Sequence, residues 1–286
     1  MLTVAKKFSD DIRMEFGLLE KSAKAAFKRG KLTETSDLQL DTDTCIRELE
    51  QEGVYKYLGI NEGDGIQHAA MKEKVRKEYY RRVRLVLKSE LNAANRFEAI
   101  NTPAVPVNTY SFNIRNWKMS EIKRLDTKTR KLLTIYRMHH PKADVNRMYL
   151  PRRIGGGGLT KLETAYKSTT IGLETYLRNT DDALLQLVLQ HETKKKLYAI
   201  QKEAEKFRRE FRVPNLDRAV NERVTKFARR VKQKVKQQAE GVVVKQWEEK
   251  ELHGRYPKRI READFGDYKT NQRLRSTGLR RHQSTV

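Results

Sequence analysis

Asp10 and Asp11 are neighbouring carboxylates near the start of the sequence. Adjacent aspartates can hold two magnesium ions for phosphoryl transfer when a strand hairpin directs both carboxylates at the metals. Here Val4, Phe8 and Ile12 recur at helical spacing, so the segment is predicted to be an amphipathic helix. We therefore interpret both aspartates as solvated helix residues, and we assign the chain no catalytic residue, no metal site and no cofactor.

Cationic side chains form the clearest candidate binding surface. The second half of the stretch from residue 53 to residue 91 has apolar side chains at helical spacing: Val75, Tyr79, Val83, Val86 and Leu87. Basic side chains recur at the same spacing on roughly the opposite side of this helix: Lys77, Arg81, Arg84 and Lys88. A row of guanidinium and ammonium groups binds the phosphates of a nucleic-acid backbone. The pattern therefore predicts a helix that packs on one side and binds phosphate on the other.

A glycine run provides a second candidate phosphate site. Arg152 and Arg153 precede four glycines at residues 155–158. Glycines beside arginines allow a backbone to approach phosphate closely. The segment lacks the Lys-Ser/Thr of a nucleotide P-loop and the strand-glycine spacing of a dinucleotide fold. We therefore expect Arg152 and Arg153 to contact nucleic-acid phosphate, and we predict no nucleoside triphosphate site.

Histidine and cysteine usage indicates no metal centre. His139 and His140 are adjacent, and neighbouring side chains diverge on a helix, so we interpret them as polar residues at a helix end. Cys45 is the single cysteine, which excludes an internal disulfide and a cysteine-rich zinc site. A lone cysteine fits a reducing compartment. We therefore expect an intracellular protein of the nucleus or cytoplasm.

The overall charge points to a polyanionic partner. The chain has 286 residues and a formal net charge of +24. So large an excess is typical of proteins that bind nucleic acid, and here the cations also form stripes. No apolar run is long enough to span a membrane, and the first residues are too polar for a signal peptide. RNA, DNA or an RNA–DNA hybrid is therefore the expected partner, with no membrane.

The elements that position these residues are mostly helices. Residues 54–60 are predicted to be a strand, ended by a loop at residues 61–65. Shorter strand signals lie at residues 25–27 and 38–40. Helices are predicted at residues 120–139, 159–177, 181–212 and 220–235, with Ser120 and Thr180 as N-caps and Asp126 paired with Arg130. The fold class is therefore mainly α, with a small α+β part at the N-terminus.

Several motifs together resemble a known family. Tyr55-Lys56-Tyr57-Leu58-Gly59 before a basic helix resembles the primer grip and first thumb helix of reverse transcriptases, and specifically those of non-LTR (LINE-type) retrotransposons. Three further stretches resemble the same enzymes in the same order: residues 14–18 with Lys21, residues 125–133, and residues 149–159.

The resemblance implies a domain organisation and a parent activity. It implies the end of a polymerase palm with a primer-grip hairpin at 1–62, a helical thumb at 63–178, a basic helical linker at 179–253 and a disordered tail at 254–286. The parent enzyme would synthesise DNA from an RNA template using Mg²⁺. Because this chain lacks the metal-binding aspartates, we expect it to bind template–primer without polymerase activity of its own.

The resemblance also implies roles for particular residues. The 3′ end of the primer is expected against Tyr55, Tyr57, Leu58 and Gly59. In the family, a lysine at the place of Lys21 assists near the leaving group, but without the aspartates we interpret Lys21 as a surface residue. The family usually has a basic residue where this chain has Gly157.

A different class of function fits one other pattern. Val220, Val224, Phe227, Val231 and Val235 recur at helical spacing opposite basic residues. The alternative reading is therefore a helical interaction or coiled-coil protein derived from a retroelement, which self-associates through residues 215–239. Salt-dependent binding of nucleic acid would favour the first function, and concentration-dependent association without nucleic acid would favour the second.

Overall fold

The computed structural model is mainly helical with a small β part, which confirms the predicted class in outline. The chain divides into two compact units, Met1–Lys74 and Val75–Val286, which are described separately. The structure describes residues 2–13, 24, 26–29, 31–33, 35–39, 45–48, 55–57, 60–63, 65–66, 68–114, 117–194, 200–214 and 216–250.

In its described part, the first unit contains one complete helix, short antiparallel strands and the start of the helix that runs from His68 to Lys88. Helix α1 (Leu2–Asp11) confirms the helical pattern at the start of the sequence. The two short strand predictions are also confirmed, because β1 pairs with β2 and β3 pairs with β4. The strands are β1 (Ala26–Lys28), β2 (Lys31–Thr33), β3 (Leu38–Gln39), β4 (Cys45–Ile46), β5 (Tyr55–Tyr57), β6 (Ile60–Gly63) and β7 (Gly65–Ile66).

The predicted strand at residues 54–60 is confirmed only in part, because β5 covers Tyr55–Tyr57 whereas Ile60 already belongs to β6. Strands β5 and β6 pair antiparallel with Tyr57 opposite Ile60, so the chain reverses direction between them. The predicted loop at residues 61–65 is wrong, since β6 and β7 occupy most of it and pair in turn. A glycine-rich sequence is compatible with tight turns between strands as well as with a loop. The pairing of neighbouring strands shows that this stretch forms tight turns.

The second unit is entirely helical in its described part. After α2 (His68–Lys88), the helices are α3 (Ala93–Ala99), α4 (Val105–Ser111), α5 (Met119–Ile135), α6 (Asn146–Tyr149), α7 (Leu162–Asn179), α8 (Ala183–Lys194), α9 (Ile200–Glu210) and α10 (Val224–Glu248). A π-helical segment, Ile100–Ala104, joins α3 to α4 and contains Pro103. Proline has no N–H to donate, so the wider turn accommodates it within a continuous helix.

Helix α7 is the centre of this unit and packs against α4, α5, α8, α9 and α10. Its Tyr166 stands between two aromatic rings, edge-to-face with Phe112 at 5.4 Å and with Phe207 at 6.0 Å between ring centroids. Such pairs stabilise a core beyond the burial of their area. Phe112 and Phe207 are therefore core residues that pack against Tyr166.

The apolar stripe of α10 packs inside the same chain. Phe227, Val231 and Val235 are buried, and α10 lies along α7. The predicted helix began near residue 220, but α10 begins at Val224, and Val220 is 98% exposed outside it. Of the apolar residues proposed for self-association through 215–239, Phe227, Val231 and Val235 are therefore already buried within one chain, whereas Val220 is exposed and Val224 is only partly buried.

Two predicted helix starts are displaced. Helix α5 begins at Met119, so its N-cap is Lys118 and not Ser120. The Glu121 carboxylate accepts the backbone N–H of Lys118 at 2.7 Å. At the start of α8, the carboxylate of Asp182 accepts the backbone N–H of Leu184 at 2.9 Å. Asp182 is therefore the cap, and Thr180 is not. Both corrections are small, because several polar residues near a helix start can accept the unpaired N–H groups.

The predicted pair between Asp126 and Arg130 is replaced by a tertiary cap. The buried carboxylate of Asp126 on α5 accepts the backbone N–H of Leu162 at 3.0 Å and of Glu163 at 3.1 Å. Burial raises the pKa of this carboxyl to about 6, against the opposing effect of both hydrogen bonds. Asp126 thus caps the first turn of α7 from another helix, while Arg130 donates to Tyr149 Oη at 3.3 Å.

Asp126→Ala is expected to lower the free energy of unfolding by about 2–3 kcal/mol, because it leaves one buried and one partly buried N–H group without an acceptor. Urea unfolding followed by circular dichroism measures the change. The matched control is Asp217→Ala, since Asp217 is an exposed carboxylate. Equal stability of the two variants would contradict the assigned cap.

Candidate nucleic-acid interface

Helix α2 has the two predicted faces. Val75, Tyr79, Val83 and Leu87 are buried, as the apolar spacing indicated. The side chains of Lys77, Arg81, Arg84 and Lys88 are exposed, as predicted for the basic stripe. The amphipathic prediction is therefore confirmed, whereas phosphate binding by the stripe stays a prediction.

The four cations of the stripe are not equivalent. Arg81 donates from Nε to Glu78 Oε2 at 2.7 Å and from Nη2 to Glu78 Oε1 at 2.8 Å. Hydrogen bonds from Arg81, and then from Arg82, lower the pKa of Glu78 to about 2, so the carboxylate stays charged. In the described part of the chain, Lys77, Arg84 and Lys88 have no ion pair. Their charges are available to a ligand, whereas the charge of Arg81 is already balanced by Glu78.

Helix α5 adds cations that the sequence reasoning did not assign. Its exposed side carries Arg124, Lys128 and Lys131. Their spacing of four and three residues was a detectable signal, but only the apolar side of this helix was interpreted. We call Lys77, Arg84 and Lys88 on α2 together with Arg124, Lys128 and Lys131 on α5 the basic surface.

Buried tyrosines join the two helices of the basic surface. Tyr79 Oη lies 2.9 Å from Thr129 Oγ1 on α5. Lys128 Nζ lies 4.5 Å from the ring centroid of Tyr80. Burial raises the pKa of Tyr80 to about 12, and the nearby charges of Arg76 and Arg84 oppose that rise. Cations from both helices therefore converge around Tyr80.

The glycine run is a folded turn and offers no backbone donor to phosphate. Gly156 N donates to Pro151 O at 3.2 Å, Gly157 N to Arg147 O at 2.9 Å, and Gly158 N to Leu150 O at 2.9 Å. The predicted approach of a phosphate to this backbone is therefore not supported. A Cβ built on Gly156 would lie 2.1 Å from Leu150 O, so close packing explains that glycine.

Arg152 holds the glycine turn in place. Its Nη1 donates to Glu98 Oε2 at 2.8 Å, and its Nη2 donates to Ala94 O. Binding of phosphate by Arg152 stays a prediction, and both ends of its guanidinium are already engaged with α3. Arg153 remains accessible, with 73% of its side chain exposed and Nη2 3.7 Å from Glu240.

Gly157 has no room for the basic residue that the family resemblance places there. A Cβ at this position would lie 2.8 Å from Met148 O and 3.0 Å from the ring of Phe97. A long cationic side chain would require the turn to rearrange. Close packing against Met148 and Phe97 thus explains why glycine fits at position 157.

The primer-grip residues are only partly described. Tyr55 and Tyr57 lie in β5, next to the antiparallel partner β6. Leu58 and Gly59 lie outside the described residues, as do residues 14–18, Lys21 and residues 254–286. Their predicted roles stay predictions.

Among the described residues, no group of three or more histidine, cysteine, aspartate or glutamate side chains could hold a metal ion. Asp10 and Asp11 are exposed at the end of α1. His139 is half-buried, and burial lowers its pKa, while His140 Nδ1 accepts the N–H of Lys142 at 3.2 Å. Among the described helices, none is long and apolar enough to cross a membrane.

Comparison with known proteins adds no family assignment. No protein-family model matches the sequence. A search of curated proteins also finds no significant match. The resemblance to reverse transcriptases therefore depends on the motifs quoted above.

Proposed function

We propose that the chain is the primer-grip, thumb and linker part of a non-LTR retrotransposon reverse transcriptase, and that it binds a template–primer duplex through phosphate contacts of the basic surface. The chain contributes binding and no phosphoryl transfer, because neither Asp10 nor Asp11 is assigned to bind the catalytic metal ions. RNA, DNA and hybrid duplexes are all substrates for such contacts, since phosphates carry no direct sequence information.

The convergence of cations around Tyr80 carries this proposal. Arg84 and Lys128 are far apart in sequence, yet Tyr80 lies close to both. Like charges repel, so a fold that gathers them on one exposed surface loses stability unless an anion binds there. A polyanion such as a nucleic-acid backbone neutralises several of these charges at once.

The buried stripe of α10 weighs against the alternative of a self-associating coiled coil. Its apolar residues face α7, so dimerisation through them would require this core to open. Sedimentation without nucleic acid tests this directly. A stable dimer that Val231→Asp dissociates without unfolding would favour the alternative.

A comparison of two arginines on one helix tests the proposal. Arg84→Gln is expected to weaken duplex binding about fivefold at moderate salt, because one phosphate is then no longer neutralised. Arg81→Gln is expected to change it less than about twofold, because Glu78 already neutralises that guanidinium. Fluorescence anisotropy with a DNA duplex and with an RNA–DNA hybrid measures both. Equal effects of the two variants would contradict the assignment of the free cations.

A further inference from the structure

Helix α8 has apolar residues on two sides, and one of these sides is exposed. Leu189 is buried, and α8 packs against α7 and α9. Leu184, Leu187 and Val188 lie on another side, where they are 73%, 59% and 49% exposed. Their spacing of three and four residues makes them neighbours on one helix face. We call these three residues the α8 patch.

The α8 patch lies in an uncharged part of a strongly basic chain. Residues 183–190 contain no charged side chain, whereas the whole chain has a formal net charge of +24. A nucleic-acid backbone therefore finds no cation within this stretch to bind. Grouped, exposed apolar side chains are typical of contacts between proteins, so the patch suits an apolar protein surface.

The charges at the two ends of α8 make this helix complementary to a second copy of itself. Asp181 and Asp182 are exposed just before its first residue, and Lys194 is its last residue. When two such helices lie antiparallel, the acidic end of each is next to the basic end of the other. An antiparallel pair has two-fold symmetry, so one self-complementary surface is sufficient for both copies.

We infer that two copies of this chain associate through α8, antiparallel about a two-fold axis that passes between Leu187 and Val188. The two α8 patches then exclude water from each other, and opposite charges meet at both ends of the contact. The inference goes beyond the proposed function, since this dimer forms without nucleic acid. It also uses a different surface from residues 215–239.

The dimer is expected to be weak, because each copy contributes one helix of 12 residues. Contacts that bury less than about 1,200 Å² in total are typical of transient complexes. We therefore expect a dissociation constant on the order of tens of micromolar. Sedimentation velocity of the full chain, freed of nucleic acid, measures it at concentrations below and above that value.

Two variants with the same charge change locate the contact. Leu187→Asp is expected to weaken the dimer more than about tenfold, because it brings two carboxylates together beside the two-fold axis. Val220→Asp changes a residue that is 98% exposed outside α8, and it is expected to leave the dimer unchanged. Circular dichroism melting confirms that both variants fold.

A charge exchange tests the antiparallel arrangement. Asp181→Lys or Lys194→Glu alone is expected to weaken the dimer about fivefold, because like charges then meet at both ends of the contact. Combining the two is expected to restore the original affinity. Asp181 is the residue to change, because Asp182 caps α8.

Several results would overturn the inference. One is a chain that stays monomeric at every concentration, and another is a dimer that Leu187→Asp leaves intact. A dimer that Val220→Asp dissociates equally well does not form through α8. If Leu187→Asp melts at a lower temperature than the parent chain, the charge exchange decides, and failure of the combined variant to restore the dimer overturns the antiparallel contact. Duplex binding measured on the same variants reports on the proposed function separately.

Discussion

Replacing four free cations of the basic surface is expected to weaken duplex binding about a hundredfold at moderate salt. The variant combines Lys77→Gln, Arg84→Gln, Lys88→Gln and Lys128→Gln, and it leaves Arg81 with its partner Glu78. Each bound phosphate releases counterions, so the slope of log affinity against log salt should flatten by about one unit for each phosphate that the variant no longer binds. Fluorescence anisotropy at several salt concentrations measures both quantities.

A control with the same change in net charge separates the basic surface from the overall charge. The control replaces the exposed lysines Lys202, Lys206, Lys226 and Lys245 of α9 and α10 by glutamine. It should lose less than about threefold in affinity, because long-range attraction is screened beyond about 10 Å. A control that loses as much as the main variant would show that binding follows net charge, and the surface on α2 and α5 would lose its assigned role.

Glu174→Ala is expected to lower the free energy of unfolding by about 3 kcal/mol. Glu174 is 1% exposed, its Oε1 lies 2.6 Å from Arg178 and its Oε2 lies 2.5 Å from Arg208 on α9. Arg208 Nη2 also donates to Thr175 Oγ1 at 2.7 Å, so these hydrogen bonds join α7 to α9. Removing the carboxylate leaves a partly buried arginine without its counter-charge, which is the costly way to break such a pair.

The matched control for Glu174 is Glu205→Ala. Glu205 pairs with Arg209, but both side chains are largely exposed, at 61% and 76%. Exposed pairs add little stability, so no resolvable change in the free energy of unfolding is expected. Urea unfolding followed by circular dichroism compares the two. If Glu174→Ala is as stable as Glu205→Ala, the ion pairs between α7 and α9 do not stabilise the fold.

The positions of most helices were predictable because apolar periodicity depends on neighbours along the chain. Val75, Tyr79 and Val83 recur on one side of α2, and any compact fold must bury that side. The cationic side of α2 follows from the same periodicity. Helix ends were less accurate, as at Lys118 and Asp182, because the choice among nearby capping residues costs little free energy.

The β-hairpin near the primer-grip motif shows where local pattern fails. Residues 54–66 alternate between apolar and glycine-rich segments, and both one strand with a loop and a three-stranded sheet satisfy that pattern. Pairing of Tyr57 with Ile60 and of Glu62 with Ile66 decided the outcome. Such pairing depends on how each strand finds a partner, which residue types alone do not specify.

By itself, then, the sequence determined the helical class, the excess of positive charge and the amphipathic division of α2. The pairing of Arg81 with Glu78, three residues away on the same helix, is local, but tertiary structure alone decided the contacts between residues far apart in the chain. Glu98 is 54 positions from Arg152 and engages it, Asp126 reaches the first turn of α7, and Lys128 comes to lie over Tyr80. Whether a charge is neutralised depends on the distance to its counter-charge, and for residues far apart in the chain only folding sets that distance.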